Sequence, residues 1–219
     1  MRAIRSAPHA GVLARERPSY TLRMVRMTSC QTDGDFLFVG SPLAGDLAVP
    51  ISRNRGYSAL RKGRYSVPGA TYFLTICLNS HQTGLALPTV GKAVLRESHT
   101  MAHDGVWQLR VCTLMPDHSH WLVTLGDQLA LSQCVGRLKA KTKDTLRAVG
   151  VAWQENYFDH SINTNEPSLP VFLYIYLNPY RAQLIERSAP WPWFYCRPDE
   201  WAWFKDYLDN DLPPPGWLV

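Results

Sequence analysis

The chain has 219 residues, enough for one ordinary domain with appendages or for two small domains. Apolar residues make up 46% of it, yet no apolar run approaches the roughly 20 residues of a membrane span, so we expect no membrane association. The formal charge of +5 is concentrated near the start of the chain. Residues 1–63 hold ten basic and four acidic residues, so the remainder is close to neutral and the charge alone does not indicate a polyanionic partner.

Residues 1–56 are rich in Arg, Ser, Gly and Pro and show no periodicity, which predicts a disordered basic extension. Their first part lacks the apolar core of a secretory signal. Its composition also fits an organellar transit peptide, although a disordered tail is the simpler interpretation. The five cysteines are scattered without a C-x-x-C pair, which argues against a cysteine zinc site and favours a cytoplasmic location.

Regular structure is predicted from about residue 57. A β-branched and aromatic run over residues 71–78 follows the turn Pro68-Gly69 and indicates a strand. Apolar residues over 90–103 recur at helical spacing. Residues 106–114 alternate between apolar and polar, and residues 118–125 form a second such run after the turn over 115–117, so the two predict a β-hairpin.

The remaining elements are mainly helical. Residues 128–148 form the longest helical pattern, a looser stretch follows to Pro170, and a short helix over 171–177 is expected to end at Pro179. Residues 197–219 are Pro-rich and acidic and indicate a tail. The order of elements predicts an α+β fold whose antiparallel sheet is covered by helices.

His118 and His120 form the sharpest local feature. Residues i and i+2 of a strand point to the same face, so two imidazoles there can bind one divalent ion. An isolated H-x-H is weak evidence, because paired histidines on a strand more often serve packing or solvation than metal binding.

A second candidate is the pair Tyr174 and Asn178. At helical spacing i and i+4 they share one face, where Tyr offers a phenolic nucleophile and Asn an oxygen ligand. The simpler alternative is a packed helix whose Asn caps its end before Pro179.

Two basic clusters are candidate contacts for a nucleic acid backbone. Composition alone favours an ordinary solvated helix face for the cluster in the long helical pattern, and the other cluster is compatible with a flexible arm. The chain has neither a Walker-type loop nor a Rossmann fingerprint, so we expect no nucleotide cofactor. The clusters consist of Arg61, Lys62 and Arg64, and of Arg137, Lys139, Lys141 and Lys143 within the long helical pattern.

Taken in order, these segments resemble the REP-associated tyrosine transposases, which are single-strand DNA transposases of the HUH nuclease superfamily. The resemblance covers about residues 57–196, and the order and spacing of the motifs make it specific. The matching segments are residues 60–75, Met115-Pro-Asp-His-Ser-His-Trp-Leu, Leu138-Lys139, Trp153-Gln154 with Asp159-His160, Tyr174-Ile-Tyr-Leu-Asn-Pro-Tyr-Arg-Ala and Trp191-Pro-Trp.

The resemblance implies a ferredoxin-like HUH fold with a central antiparallel sheet and helices on its faces. It implies that His118 and His120 hold Mg²⁺ or Mn²⁺, with Asn178 as a third ligand. Tyr174 would attack single-stranded DNA at a palindromic repeat hairpin and form a 5′-phosphotyrosine intermediate that can be rejoined. Tyr176 and Tyr157 are the less favoured nucleophiles, and the basic clusters would contact DNA.

Two other functions stay open. The chain could be a catalytically weak protein of the same fold that binds hairpin DNA or RNA without cutting it. It could also use His118 and His120 for a purely structural metal. The sequence does not decide between a monomer and a homodimer.

Overall fold

The computed structural model describes residues 66–80, 82–163 and 165–218. The predicted extension over residues 1–56 and the basic residues Arg61, Lys62 and Arg64 lie outside this part. No helix within it is long and apolar enough to cross a membrane. The elements follow the order β1 (Thr71–Cys77), α1 (Pro88–His103), β2 (Trp107–Leu114), β3 (His118–Leu125), α2 (Leu131–Ala148), β4 (Phe158–Ile162), α3 (Ser168–Arg181), β5 (Phe194–Cys196) and α4 (Pro198–Phe204), with short 3-10 helices at Lys205–Tyr207 and Pro215–Trp217.

The five strands of the described residues form one antiparallel sheet in the order β4-β1-β3-β2-β5. The predicted hairpin of β2 and β3 is confirmed, and Met115 N–H donates to the His118 carbonyl at its turn. Strand β3 is the central strand, paired with β1 on one side and β2 on the other. Its side chains are therefore held in register by two neighbours.

Helices cover both faces of the sheet, as expected for the predicted α+β fold. On one face, α1 and α2 pack on alternate strand residues such as Leu74 and Trp121. On the other face, α3 and α4 pack on Phe73, Val111 and Leu122. Both layers bury aromatic and aliphatic side chains, whose removal from water is the main stabilising contribution to such a fold.

Helix α3 is longer than predicted at both ends. Pro170 lies in its first turn, where backbone N–H groups have no partner within the helix, so proline removes no hydrogen bond there. The prediction that Pro179 ends the helix is wrong, since α3 continues to Arg181. Pro179 removes only the backbone hydrogen bond to the Ile175 carbonyl. Tyr176 and Tyr180 are buried in the core between the sheet, α3 and α4, and this burial stabilises the last turn of α3.

Two strands were not predicted. Asp159 and His160, in the stretch before Pro170 that was expected to be less regular, lie within β4, and β5 has only three residues. Both are edge strands that pair on one side, β4 with β1 and β5 with β2. Residues 197–218, interpreted as a tail, include α4, and Phe204 is fully buried in the core beneath α3. The aromatic residues of the segment 197–218 pack it against helix α3.

Candidate active site

His118 and His120 lie on the central strand and face helix α3. His120 is fully buried and its ring stacks on Phe73 with centroids 5.6 Å apart and an interplanar angle of 19°. The His118 side chain, at the start of β3, is 20% exposed. Ser119 between them points to the opposite face, where it accepts a hydrogen bond from Trp121 Nε1. The two imidazoles thus converge at one edge of the core, one accessible and one enclosed.

Each histidine is oriented through its Nδ1 atom. His118 Nδ1–H donates to Asp117 Oδ1 at 2.7 Å, which leaves a lone pair on His118 Nε2. His120 Nδ1 is hydrogen-bonded to the Thr75 hydroxyl at 3.0 Å. A hydroxyl can donate or accept, so Thr75 is compatible with either tautomer of His120. The Nε2 atoms of the two rings then face each other at 3.1 Å.

This arrangement fits a divalent ion. Two nitrogen ligands at about 2.1 Å from a metal and at a right angle to each other lie about 3.0 Å apart. Burial holds the pKa of His120 well below its usual range, which favours the neutral imidazole that metals bind. Among the described residues no third His, Cys, Asp or Glu completes a cluster with this pair, so a further ligand from this part of the chain would be an amide, a hydroxyl or a backbone carbonyl.

Helix α3 places Tyr174 beside this pair in the same chain. Its hydroxyl lies 3.4 Å from His120 Nε2, and its ring contacts His120 and Phe73 edge-on with centroid distances of 4.9 and 5.7 Å. Burial raises the pKa of Tyr174, while a hydrogen bond with the Asn178 side chain and the positive charge of Arg181 oppose this rise. The phenol is therefore protonated in the free protein at neutral pH.

Asn178 lies one helical turn beyond Tyr174 and is half-buried. Because its side chain is hydrogen-bonded with the Tyr174 phenol, it belongs to the same cluster as the histidines. Its role as a third metal ligand stays a prediction.

The two less favoured tyrosines lie elsewhere. Tyr176 is buried in the aromatic core under α4, and its hydroxyl donates to the Asp211 carbonyl at 2.9 Å. Tyr157 precedes β4 and packs beneath Lys139, whose ammonium lies 5.9 Å from the ring centroid. Both positions agree with the preference for Tyr174.

The predicted DNA contacts of helix α2 fall into two groups. Arg137 forms ion pairs with Glu97 and Asp104 at 3.0 and 2.7 Å. Lys139 donates to three carbonyl groups of residues 154–156, at distances from 2.7 to 3.2 Å. Both side chains therefore hold parts of the protein together.

The second group, Lys141 and Lys143, is exposed to solvent. These two lysines remain available for a phosphate backbone, although they project from the face of the sheet opposite Tyr174. Contact of any of the four residues with DNA stays a prediction.

The residues that orient the histidines were not predicted from the sequence. Asp117 was interpreted only as part of a turn, although its position directly before H-x-H is a usable signal for a carboxylate that supports a ligand. Thr75 lies 45 residues from His120, and only the register of β1 against β3 brings the two together.

Comparison with known proteins bears on the family and the fold of the chain. The family model described as "Transposase IS200 like" matches residues 67–176, half of the chain. A solved structure of a REP-associated tyrosine transposase bound to a REP hairpin is similar with a TM-score of 0.52 and 21% identity, covering 66% of this chain and 82% of that one. A provisionally assigned transposase of Deinococcus radiodurans R1 gives a TM-score of 0.37 and 17% identity, over 61% and 92% of the two chains. No curated protein matches the chain.

The matched residues run from the turn before β1 into α3, so they include the paired histidines and Tyr174. The five-stranded antiparallel sheet with helices on both faces is the fold of the similar transposase structure. The chain is therefore a member of the IS200-like transposase family.

Proposed function

We propose that this transposase is a metal-dependent enzyme that nicks and rejoins single-stranded DNA at palindromic repeat hairpins, with Tyr174 as the nucleophile. The observation that carries the proposal is the convergence of three groups from one chain. His118 Nε2 lies 3.1 Å from His120 Nε2, which in turn lies 3.4 Å from the Tyr174 hydroxyl. A nucleophile and a pair of metal-ligand nitrogens are thereby within reach of one phosphate group.

His118 and His120 would hold Mg²⁺ or Mn²⁺ through their Nε2 atoms, and Asn178 would supply an oxygen ligand. When bound, the ion polarises the scissile phosphate and offsets the charge that develops on its oxygens. The chain's own residues fix the geometry. Asp117 and Thr75 orient the two rings, while Phe73 packs against His120 and Tyr174 and limits access of water.

The chemical step balances without a further reactant. The Tyr174 oxygen attacks phosphorus, the bond from phosphorus to the 3′ oxygen breaks, and the phenolic proton ends, directly or through solvent, on the released 3′ oxygen. The products are a 5′-phosphotyrosine and a free 3′ hydroxyl. Because the phosphotyrosine is still a phosphodiester, a 3′ hydroxyl can reverse the step and join two strands.

A hairpin substrate is supported by the similar transposase structure, which holds a REP hairpin. Hairpin feet expose unpaired bases and phosphates, and single-strand binding combines aromatic and basic side chains. Lys141 and Lys143 on α2 and the basic residues before β1 are the candidates for backbone contacts away from the reacting phosphate.

The test is formation of a covalent adduct. A labelled DNA hairpin with a single-stranded foot, incubated with Mn²⁺, should give a protein–DNA adduct that survives denaturation. Tyr174→Phe should abolish the adduct and retain hairpin binding, whereas Tyr207→Phe, at an exposed tyrosine, should behave as wild type. If wild type binds repeat hairpins tightly but forms no adduct with any of them, a binding protein without cleavage replaces the proposal.

A further inference from the structure

Charge is divided unevenly between the two helical layers of the domain. Helices α1 and α2 together hold seven basic and two acidic residues. The rest of the part of the chain that the structure describes holds five basic and twelve acidic residues. Because α1 and α2 cover one face of the sheet while α3 and α4 cover the other, most of the positive charge lies on the side away from Tyr174.

Four of the basic side chains on α1 and α2 are exposed and form what we call the basic surface: Lys92, Arg96, Lys141 and Lys143. Lys92 and Arg96 stand at i and i+4, so they share the outer face of α1. Within the described ranges none of the four pairs with a carboxylate, whereas Arg137 is engaged in ion pairs that tie α2 to α1. Lys141 lies one turn beyond Arg137 and therefore on the side of α2 that borders α1.

The basic surface lies at the same end of the sheet as the paired histidines. Gly84, just before α1, donates its N–H to the Pro116 carbonyl, in the turn that precedes His118. Gln82 in the same loop donates to the Gly150 carbonyl, just beyond α2. The start of α1 and the end of α2 are thus beside that turn, and the four basic residues follow within about 12 Å along the two helices. A bound strand can therefore pass around this end of the sheet toward the histidines.

We propose that the basic surface binds the phosphate backbone of the duplex stem of a DNA hairpin, whose single-stranded foot reaches Tyr174 around the end of the sheet. This inference rests on the proposed function, in which the substrate is such a hairpin. Duplex DNA carries one negative charge per about 1.7 Å of its axis, and lysine and arginine side chains bind its phosphates. Such contacts carry no sequence information, so the surface positions the substrate and does not select it.

Two other occupants of the basic surface differ from DNA in their charge. Residues 1–63 hold ten basic and four acidic residues, so like charge opposes their binding there. A second copy of the chain could present the five acidic residues that lie between positions 199 and 211. That contact would appear as self-association at low salt, which the experiment includes as an outcome.

The experiment measures how salt weakens hairpin binding in the Tyr174→Phe background with EDTA, where neither cleavage nor a metal contributes. The probes are a labelled repeat hairpin and its single-stranded foot alone. Lys92→Gln combined with Arg96→Gln should reduce the slope of log affinity against log salt by about 2, since each lost phosphate contact removes about 0.9. At about 150 mM salt it should weaken hairpin binding about tenfold. Binding of the foot should change less than about twofold, because salt screens charges beyond about 8 Å.

The matched control is Arg187→Gln combined with Lys205→Gln. It also removes one arginine and one lysine, but from the side of α3 and α4, and should leave the slope close to that of wild type. Urea midpoints check that both double variants are folded. If the ion pair of Arg187 with Asp209 proves necessary for folding, Lys205→Gln against Lys92→Gln gives the same comparison with a change in slope of about 1.

The inference is overturned if the two double variants reduce the slope equally, since net charge then explains the effect. It is also overturned if the foot alone loses as much affinity as the hairpin. A free duplex that binds together with the hairpin, without competing, would assign the surface to a separate duplex. Self-association of wild type that Lys92→Gln with Arg96→Gln abolishes, with hairpin binding unchanged, would assign it to a second copy of the chain.

Cleavage is judged separately, by formation of the tyrosine adduct on the foot alone. With Mn²⁺ and a saturating concentration of the foot, wild type and Lys92→Gln with Arg96→Gln should form the adduct at the same rate. An adduct together with unchanged salt slopes rejects the inference and leaves the proposed function intact. Absence of an adduct in wild type rejects the proposed function, while the salt slopes still report whether α1 and α2 bind the stem.

Discussion

His118 and His120 turn their Nε2 atoms toward each other across 3.1 Å, while both Nδ1 atoms are engaged by other side chains. Two imidazole lone pairs at this separation repel unless a proton or a metal cation lies between them. If the pair binds an ion, Asp117 and Thr75 should support that binding by orienting the two rings.

Removing those partners should weaken metal binding. Asp117→Ala and Thr75→Val should each lower the affinity for Mn²⁺ by about 10- to 100-fold, because each ring loses the bond that fixes its orientation. Isothermal titration with Mn²⁺ measures the effect. Thr71→Val is the matched control, since Thr71 lies on the same strand but bonds Thr124 at the far end of the sheet. Equal affinities in all three variants would contradict the prediction.

Lys139 should contribute to stability rather than chiefly to DNA binding. Burial lowers the pKa of its ammonium to about 8, and that group donates to three carbonyl oxygens between α2 and β4. Lys139→Met should reduce the free energy of unfolding by about 2 kcal/mol, as expected when hydrogen bonds to a charged group are lost. Urea unfolding measures this change.

Lys141→Met is the control for Lys139, because its exposed side chain has no such role. It should leave the urea midpoint unchanged and reduce the slope of log affinity against log salt for hairpin DNA by about 1. If Lys139→Met and Lys141→Met both have the urea midpoint of wild type, the bonds of Lys139 to residues 154–156 do not stabilise the fold.

The ion pairs of Arg137 predict a specific dependence on pH. Its hydrogen bond with Asp104 holds the pKa of that carboxyl below the usual value of 3.8. Stability from this pair is therefore fully present above pH 3.8 and is lost as the pH falls through the lower value in the folded protein. Arg137→Gln should be less stable than wild type at neutral pH, with a difference that shrinks in acid.

Urea midpoints between pH 7 and pH 3 measure that difference. Arg147→Gln, which removes an exposed pair with Asp144, should remain close to wild type throughout. A difference between wild type and Arg137→Gln that stays constant down to the lowest pH would show that the pair with Asp104 contributes nothing.

The segment after β5 should be required for the stability of helix α3. Phe204 is fully buried and its ring lies 5.6 Å from that of Phe172 in α3. Phe204→Ala should lower the free energy of unfolding by about 3–5 kcal/mol, since it leaves a cavity beneath helix α3. Tyr207→Ala, at a side chain that is 40% exposed, should change stability little. Thermal unfolding of the two variants distinguishes a packed segment from a dispensable tail.

The central part of the fold could be predicted because its signals are local. The alternation over 106–114 and 118–125 matches β2 and β3 within one residue, and it places His118 and His120 on one face. Helices α1 and α2 follow from apolar spacing in the same way. Pairing Tyr174 with the histidines needed the resemblance to a family, since α3 is distant in sequence from β3.

The rest of the fold and of the candidate site depends on contacts between residues that are distant in sequence. Strands β4 and β5 are short edge strands without alternation, so their pairing with β1 and β2 defines them. The partners of Arg137 lie 40 and 33 residues away, and no sequence pattern distinguishes a paired arginine from a solvated one. Pro179 is tolerated because aromatic packing outweighs one lost hydrogen bond, which is a tertiary effect.

The central position of β3 has a consequence for interpreting variants. Its backbone is paired on both sides, with His120 opposite Thr75 on β1 and Thr113 on β2. A slip of one residue would turn both imidazoles into the opposite core, so the assembled site exists only in the native alignment of three strands. An ion held there would bind the native state alone and resist its unfolding by mass action. Substitutions far along the sheet can thus abolish activity by changing the alignment of the strands, although every reacting group is still present.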